Sequence, residues 1–404
     1  MDRRKFAQLL TCGGASLPMF QVAAAEQNSA KEQTEKKSPQ QAKPLPSEPV
    51  NVSDVRLLAE AKLPKATYDY ISTGSADEIT LRENIAAFQR MKVLPPLLTG
   101  VSEPDLSTTV LGQKISLPIM LAPVAAQRMY HREGALAAAR AAESAGTLFG
   151  VSSSASNSVE EIAQVSKGPK WYQLYVPKDR TVAKKLVQRV ERAGYQAIIV
   201  TVDLGEWKDA DRRNRFMLPK EMLVKHLQDT GFQQVSNKMS YEDVIAFNAQ
   251  AWDVSLSWDF FKWLRSITDL PVLLKGVLRK DDAEKAVSMG LDGIIVSNHG
   301  GRRLDGMPAS IDMLPEIAET VGDRAEIYMD GGIRRGTDVL KALALGAKAV
   351  LIGRPYAWGL GADGEAGVRK VIELLRAELL NAMIAGGCSK VSDVNRSLLL
   401  SESR

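Results

Sequence analysis

Gly293-Ile294-Ile295-Val296-Ser297-Asn298-His299-Gly300-Gly301-Arg302-Arg303-Leu304-Asp305-Gly306 joins a short apolar run to a glycine-rich loop. Its continuous apolar start reads as a strand buried on both faces. His299 and Arg302 therefore emerge together where the strand ends and the loop begins. Parallel strands of α/β folds place their ligands at this carboxyl edge. An imidazole there can move a proton near neutral pH, and a guanidinium can fork onto a carboxylate. Of the three histidines in the chain, only His299 has this setting. The structural alternative is a histidine closing a strand, with Arg302 paired to Asp305.

Working outward, seven further runs share the continuous apolar character: 119–124, 147–152, 171–175, 197–203, 272–276, 326–330 and 349–354. Amphipathic stretches separate them, among them Gly134–Ala145, Thr181–Ala193, Asp281–Met289 and Thr337–Leu345. Gly146, Gly194, Gly290 and Gly346 stand where a C′ glycine ends a helix. Eight strand–helix units in series predict a (β/α)8 TIM barrel within the α/β class. A doubly wound open sheet is the alternative, and it usually has fewer strands.

Before the barrel, the spacing predicts a helix from about Val52, capped by Asn51 or Ser53. Leu63-Pro64 breaks it, a second helix starts at Ala66 and ends near Gly74, and Arg90 to Gly100 and Leu106 to Leu117 read as an extended, Pro-containing lead-in. The one irregular connection, Leu204 to Asp269, follows the fourth strand and holds Trp207, Trp252, Trp258 and Trp263. A loop above a barrel's carboxyl face carries specificity; the alternative is a surface excursion, partly disordered, with Ser257–Thr268 as the barrel's fourth helix.

The first 25 residues read as a twin-arginine-type signal peptide. Arg3-Arg4-Lys5-Phe6 leads into a modestly apolar run that ends at Ala23-Ala24-Ala25. That run, diluted by Gly13, Gly14 and Ser16, is too weak for a transmembrane anchor. Residues 26–50 read as a disordered spacer, and 51–404 as the barrel domain. Export by the twin-arginine route to the periplasm is the expectation. Cys12 would leave with the signal, and Cys388 alone gives no disulfide and no thiolate metal cage. A net charge of +4 over 404 residues gives no reason to expect a nucleic-acid partner.

Polar residues cluster at the predicted carboxyl ends of the strands: Gln173, Tyr175, Thr201, Asp203, Lys275, His299, Arg302, Asp330 and Arg354. A purely structural barrel has no use for charges at so many strand ends. Asp330-Gly331-Gly332-Ile333-Arg334 and Ile352-Gly353-Arg354-Pro355 are glycine loops, bearing arginines, that feed helices. Helix N-termini and guanidinium groups both favour a phosphate, and barrels commonly bind one after strands seven and eight. No G-x-G-x-x-G follows a first strand, so a mononucleotide such as FMN fits better than a dinucleotide.

Tyr68-Asp69-Tyr70, Leu121-Ala122-Pro123, Gln173-Leu174-Tyr175, Thr201-Val202-Asp203, Leu274-Lys275-Gly276-Val277, Ser297 to Arg302 and Asp330-Gly331-Gly332 stand in one order. In this the chain resembles the FMN-dependent α-hydroxy-acid oxidases and dehydrogenases, the group of glycolate oxidase, lactate oxidase and mandelate dehydrogenase. The resemblance runs from about Val52 to Ser397. It implies FMN-dependent oxidation of a 2-hydroxy acid, L-lactate-like or bulkier, to the 2-oxo acid. It makes His299 the base and Asp203 the group that stabilises its imidazolium. Lys275 would sit beside the flavin, Tyr70 and Tyr175 would hydrogen-bond substrate, and Arg302 would hold its carboxylate. Ser152, Gln173 and Thr201, with backbone of Pro123, Val124 and Ala125, would contact the flavin ring. Asp330, Gly331, Gly332, Arg334, Gly353 and Arg354 would bind ribityl and phosphate. A homotetramer is also implied; oxygen, a quinone or a cytochrome would each serve as electron acceptor.

Two departures stand out. Lys208 occupies the place of the family's second carboxylate-binding arginine, in a segment two residues shorter. A lysine offers a point charge rather than a fork, which would weaken the grip on a small acid by ~1–3 kcal/mol. Ser154 stands where several small-acid oxidases carry tryptophan, which opens the pocket. A substrate bulkier than glycolate or lactate, or an atypical one, is the expectation. Two other readings stay open: a non-catalytic flavin- or ligand-binding barrel, and an isomerase using reduced flavin.

Overall fold

The computed structural model describes residues 45–203 and 217–400. The signal-peptide reading, most of the spacer reading and Lys208 lie outside these residues. Two short strands, β1 (Thr108–Val110) and β2 (Gln113–Ile115), pair as an antiparallel hairpin. The eight apolar runs then each form a parallel strand: β3 (Ile119–Leu121), β4 (Phe149–Ser152), β5 (Lys170–Leu174), β6 (Ala197–Thr201), β7 (Val272–Val277), β8 (Gly293–Val296), β9 (Glu326–Asp330) and β10 (Ala349–Ile352). β10 pairs with both β9 and β3, which closes the sheet into the expected (β/α)8 barrel.

Strand side chains alternate between faces, and the barrel uses both faces. Met120, Trp171, Ile199, Leu273, Ile295, Tyr328 and Leu351 form one buried cluster. Their neighbours Leu121, Tyr172, Val200, Leu274, Ile294, Met329 and Val350 belong to a second, packed with the surrounding helices. Trp171 and Tyr328 meet edge to face at 5.2 Å inside the barrel. Burial on both sides is why these strands read as unbroken apolar runs.

Helices fill the intervals: α1 (Val52–Lys62), α2 (Lys65–Ser72), α3 (Ile79–Arg90), α4 (Ala135–Ser144), α5 (Val159–Val165), α6 (Arg180–Arg192), α7 (Lys220–Asp229), α8 (Tyr241–Ala251), α9 (Asp259–Arg265), α10 (Lys280–Ser288), α11 (Ser310–Val321), α12 (Gly336–Ala344) and α13 (Arg354–Gly386). Asn51 is the α1 cap: its side chain accepts from the Asp54 backbone N–H at 3.0 Å. α4, α6, α10 and α12 each end two residues before the expected glycine. α13 breaks its helical geometry at Asp363 and Gly364.

Three features differ from the expectation. The lead-in is not wholly extended: 108–115 folds as the hairpin, and its Val110 and Ile115 join the barrel's interior cluster. α3 has no counterpart in the sequence reading. The long excursion is ordered through α7 and α8, which build a core of their own from Leu223, Val224, Leu227, Phe232, Val235 and Val244. The fourth barrel helix appears as α9, inside the predicted Ser257–Thr268 span. Among the described residues no helix is long and apolar enough to cross a membrane.

Candidate active site at the carboxyl mouth of the barrel

Following the inward rows of side chains toward the strands' carboxyl ends builds the site. Trp171 on β5 is followed two residues on by Gln173, Ile199 on β6 by Thr201, Leu273 on β7 by Lys275. Ile295 leads to Ser297, Tyr328 to Asp330, and Leu351 to Gly353. Period two keeps all of these on one face, so the apolar interior gives way to polar side chains at the strand ends. Thr201 lies beside Lys275 and Ser152 beside Gln173, while the stagger of the strands sets Gln173 beside Ile199, Lys275 beside Ile295 and Asp330 beside Leu351. One further step of two reaches Tyr175, Asp203 and His299.

Above these side chains lies a cavity open to solvent. Seventeen of the expected residues line it: Tyr70, Pro123, Val124, Ala125, Ser152, Gln173, Tyr175, Thr201, Lys275, His299, Arg302, Asp330, Gly331, Gly332, Arg334, Gly353 and Arg354. Asp203 stands behind His299 rather than on the wall, its carboxylate oxygens 2.9 and 3.1 Å from Nδ1. That contact assigns the proton to Nδ1 and leaves the lone pair on Nε2. Ser154 is not on the cavity wall; its carbonyl accepts from the Ala126 backbone N–H.

Burial pushes His299 down to about 4, and the charges of Arg303 and Lys275 act in the same direction, against Asp203. The imidazole is therefore neutral at pH 7 and able to accept a proton. For Asp203, burial opposes ionisation but is outweighed by His299, Lys275 and Arg303, so its carboxyl lies below the usual carboxylate range. Burial also works against the Lys275 charge, yet Asp330 and Asp203 outweigh it and hold the ammonium protonated.

One hydroxyl ties these groups together. Ser297 Oγ accepts from Lys275 Nζ at 2.8 Å and from the His299 backbone N–H at 3.0 Å, and donates to Asp330 at 2.6 Å. Lys275 also pairs directly with Asp330 at 2.9 Å. His299 adopts a left-handed backbone, φ 58°, uncommon for a residue with a side chain and a place where strain collects at active sites. Gly276 is required beneath it: with φ 110°, a Cβ there would lie 2.8 Å from Asp203 Cβ.

The loop is anchored from outside the barrel. Asn84 on α3 exchanges two hydrogen bonds with Asn298, at 2.8 and 2.9 Å, and accepts from the Ser310 N–H. Asp305 does not serve as the partner of Arg302. It accepts from the Ile79 and Thr80 backbone N–H groups at the start of α3. Arg302 instead donates to the Tyr70 carbonyl at 2.6 Å and lies over the Tyr70 ring at 5.0 Å. Ser297 could have been found from the inward period. Asn84, Tyr130 and Arg303 were missed; the last two line the cavity, but no spacing rule places Asn84 against a loop more than 200 residues away.

The wall fits a flavin mononucleotide. Gln173 Nε2 and Thr201 Oγ1 are buried and have no hydrogen-bond partner among the described residues. Buried polar atoms are normally satisfied, so these two facing donors suit a polar heterocycle. At the opposite end Arg334 is buried, which pushes it down to about 10, and its guanidinium lies 5.0 Å from the Trp358 ring. A buried cation of this kind suits a phosphate. Arg354 stands at the first turn of α13, where backbone N–H groups favour the same anion.

Comparison with known proteins bears on this geometry. The sequence model of a family described as FMN-dependent dehydrogenase matches residues 59–401. Human 2-hydroxyacid oxidase 1 is 50% identical over 356 residues, 86% of this chain and 95% of that protein. L-lactate oxidase of Nostoc sp. is 46% identical, covering 87% of this chain and 98% of that protein. A crystal structure of mandelate oxidase superposes with a TM-score of 0.78 at 40% identity, covering 88% of this chain and 99% of that one.

Proposed function

The chain belongs to the FMN-dependent dehydrogenase family, and we propose that its FMN-dependent oxidation of 2-hydroxy acids is directed to acids bulkier than glycolate. The activity class and the cofactor are those of the family; the size preference is the part put forward here. The observation that carries the activity is His299 held by Asp203 at 2.9 Å in a cavity that also presents Arg302.

Oxidation of a 2-hydroxy acid removes two electrons and two protons from the α-carbon and its hydroxyl. FMN, when bound, would supply the acceptor for the two electrons and for the proton that His299 does not take. Gln173, Thr201 and Ser152 would hold its ring, Arg334 and Arg354 its phosphate, and Lys275 would offset negative charge on the reduced ring. His299 takes one proton on Nε2 as general base. The imidazolium then lies against the Asp203 carboxylate, which stabilises the developing charge. Arg302, steadied by the Tyr70 and Thr73 carbonyls, holds the substrate carboxylate, and Tyr70 and Tyr175 donate to substrate oxygens.

Two points support a bulkier acid: Lys208 stands where the family resemblance places a forked guanidinium, and a mandelate oxidase is among the similar structures. Ser154, which lies off the cavity wall, adds nothing to this. The relatives named above are oxidases, which favours dioxygen as the electron acceptor. Arg3-Arg4-Lys5-Phe6 and the Ala23-Ala24-Ala25 end of the apolar run support periplasmic export. The resemblance supports a homotetramer.

Anaerobic mixing of the FMN-loaded protein with glycolate, L-lactate and mandelate tests the reading. Loss of the visible flavin absorbance with at least one acid, fastest with the larger ones, is expected. A clear preference for glycolate overturns the size assignment; no bleaching with any acid leaves a flavin-binding protein without turnover.

A further inference from the structure

Two consecutive arginines leave the loop after β8 in different directions. Arg302 turns toward α2, donating to the Tyr70 and Thr73 carbonyls. Arg303 turns toward the end of β5, where its Nη2 donates to the Tyr175 hydroxyl at 3.2 Å. Both line the cavity with Tyr175 and His299. The cavity wall thus carries two guanidinium–tyrosine pairs, Arg302 with Tyr70 and Arg303 with Tyr175.

A guanidinium has donors only. In the bond to Arg303 the Tyr175 oxygen is therefore the acceptor, and its own proton must point elsewhere. Tyr175 is half-buried and lines the cavity, which leaves the cavity as a direction open to that proton. We propose that Arg303 is a positioning residue for the oxidation: by donating to the Tyr175 hydroxyl, it fixes the phenol as a hydrogen-bond donor facing the substrate.

The same charge acts on the base. Among the described residues, the charged and titratable groups acting on Tyr175 are Arg303, Asp203, Lys275 and Tyr70, and those acting on His299 are Asp203, Arg303 and Lys275. Arg303 and Lys275 both disfavour the imidazolium, and Asp203 favours it. Removing the Arg303 charge therefore moves the protonation of His299 to higher pH.

This inference rests on the 2-hydroxy-acid reading of the site, and a double-mutant comparison separates the two. FMN-loaded wild type, Arg303→Met, Tyr175→Phe and the double variant are assayed on the acid that bleaches wild type fastest. FMN affinity and the flavin spectrum are recorded for each. Arg303→Met is expected to lower kcat/KM by about tenfold or more with Tyr175 present, the scale of one charged hydrogen bond. With Phe at 175, and at a pH above the acid limb of every variant, it is expected to cost less than about twofold, because the bond it serves is already gone. Arg303→Lys should restore most of the activity and leave the acid limb of the pH profile in place, while Arg303→Met moves that limb to higher pH. Equal losses in both backgrounds, or no loss with Tyr175 present, overturn the proposal. If Arg303→Met does not hold FMN, Arg303→Gln in the same two backgrounds makes the comparison. Failure of wild type to bleach with any acid sinks the functional reading instead.

Discussion

The proton on Nδ1 of His299 decides which nitrogen can act as a base. Asp203 holds that proton at 2.9 Å, so Nε2 carries the free lone pair. The pH dependence has a definite sign. The folded imidazole is pushed down to about 4 by burial, so the base is competent at neutral pH and is lost as pH falls through that value. kcat/KM is expected to be level near neutrality and to decline toward pH 4; a decline beginning at pH 7 would contradict the assignment. His299→Asn keeps a residue that tolerates the left-handed backbone while removing the base. It should lower kcat by about 10²–10⁴-fold while the flavin spectrum stays that of the wild type. A loss of FMN instead would make His299 a structural residue. His299, Asp203, Lys275 and Arg302 were legible in the sequence because each lies at or just past the end of an apolar run. Arg303 was not singled out, since its neighbour offered the same chemistry and only the fold shows that the two point apart.

The helix α3 lies outside the barrel, yet it sets the loop that carries the base. Asn84 links it to Asn298 and Ser310, and Asp305 reaches back to cap it. Asn84→Ala leaves the Asn298 side chain and the Ser310 N–H short of partners. A stability loss of about 1–3 kcal/mol is expected, read as a lower denaturation midpoint in a chemical melt, together with a reduced kcat. An unchanged midpoint would show that the loop holds itself. The insertion of α7 and α8 has its own acid sensitivity. Burial pushes His226, stacked on Trp252, down to about 4 against a backbone contact with Ser153. An unfolded histidine binds its proton near pH 6.5, so the unfolded state is favoured increasingly as pH falls from there toward 4. The stability in question is present above about pH 6.5 and is lost across that window, on the order of 3 kcal/mol. Melts between pH 7 and 4 should show a fall that His226→Asn reduces; equal falls would place the acid sensitivity elsewhere.

At the scale of the whole molecule, the cavity draws on most of the barrel's circumference, from Pro123 after β3 to Arg354 after β10, with Tyr70 added from α2. A ligand bound there ties together chain segments far apart in sequence. FMN at a hundredfold excess over its Kd should raise stability by about 2.7 kcal/mol, seen as a higher Tm of the loaded protein. Arg334→Met, which removes the buried cation over Trp358, should lose most of that gain; an unchanged Tm on adding FMN would count against the cavity as its site. The order of apolar runs and helix stops was enough by itself to point to eight parallel strands, a barrel and a polar rim at its carboxyl mouth, while the pairing of His299 with Asp203 came from the family resemblance. The strands, the barrel and the rim rest on local periodicity, which a linear chain carries. Other features were decided only by the tertiary structure: the hairpin that joins the barrel interior, the anchoring of the β8 loop by α3, the Ser297 hydroxyl shared by Lys275, His299 and Asp330, and the opposed directions of Arg302 and Arg303. Each is a contact between segments whose separation in sequence is set by the closing of the sheet, and no local pattern encodes which distant side chain arrives.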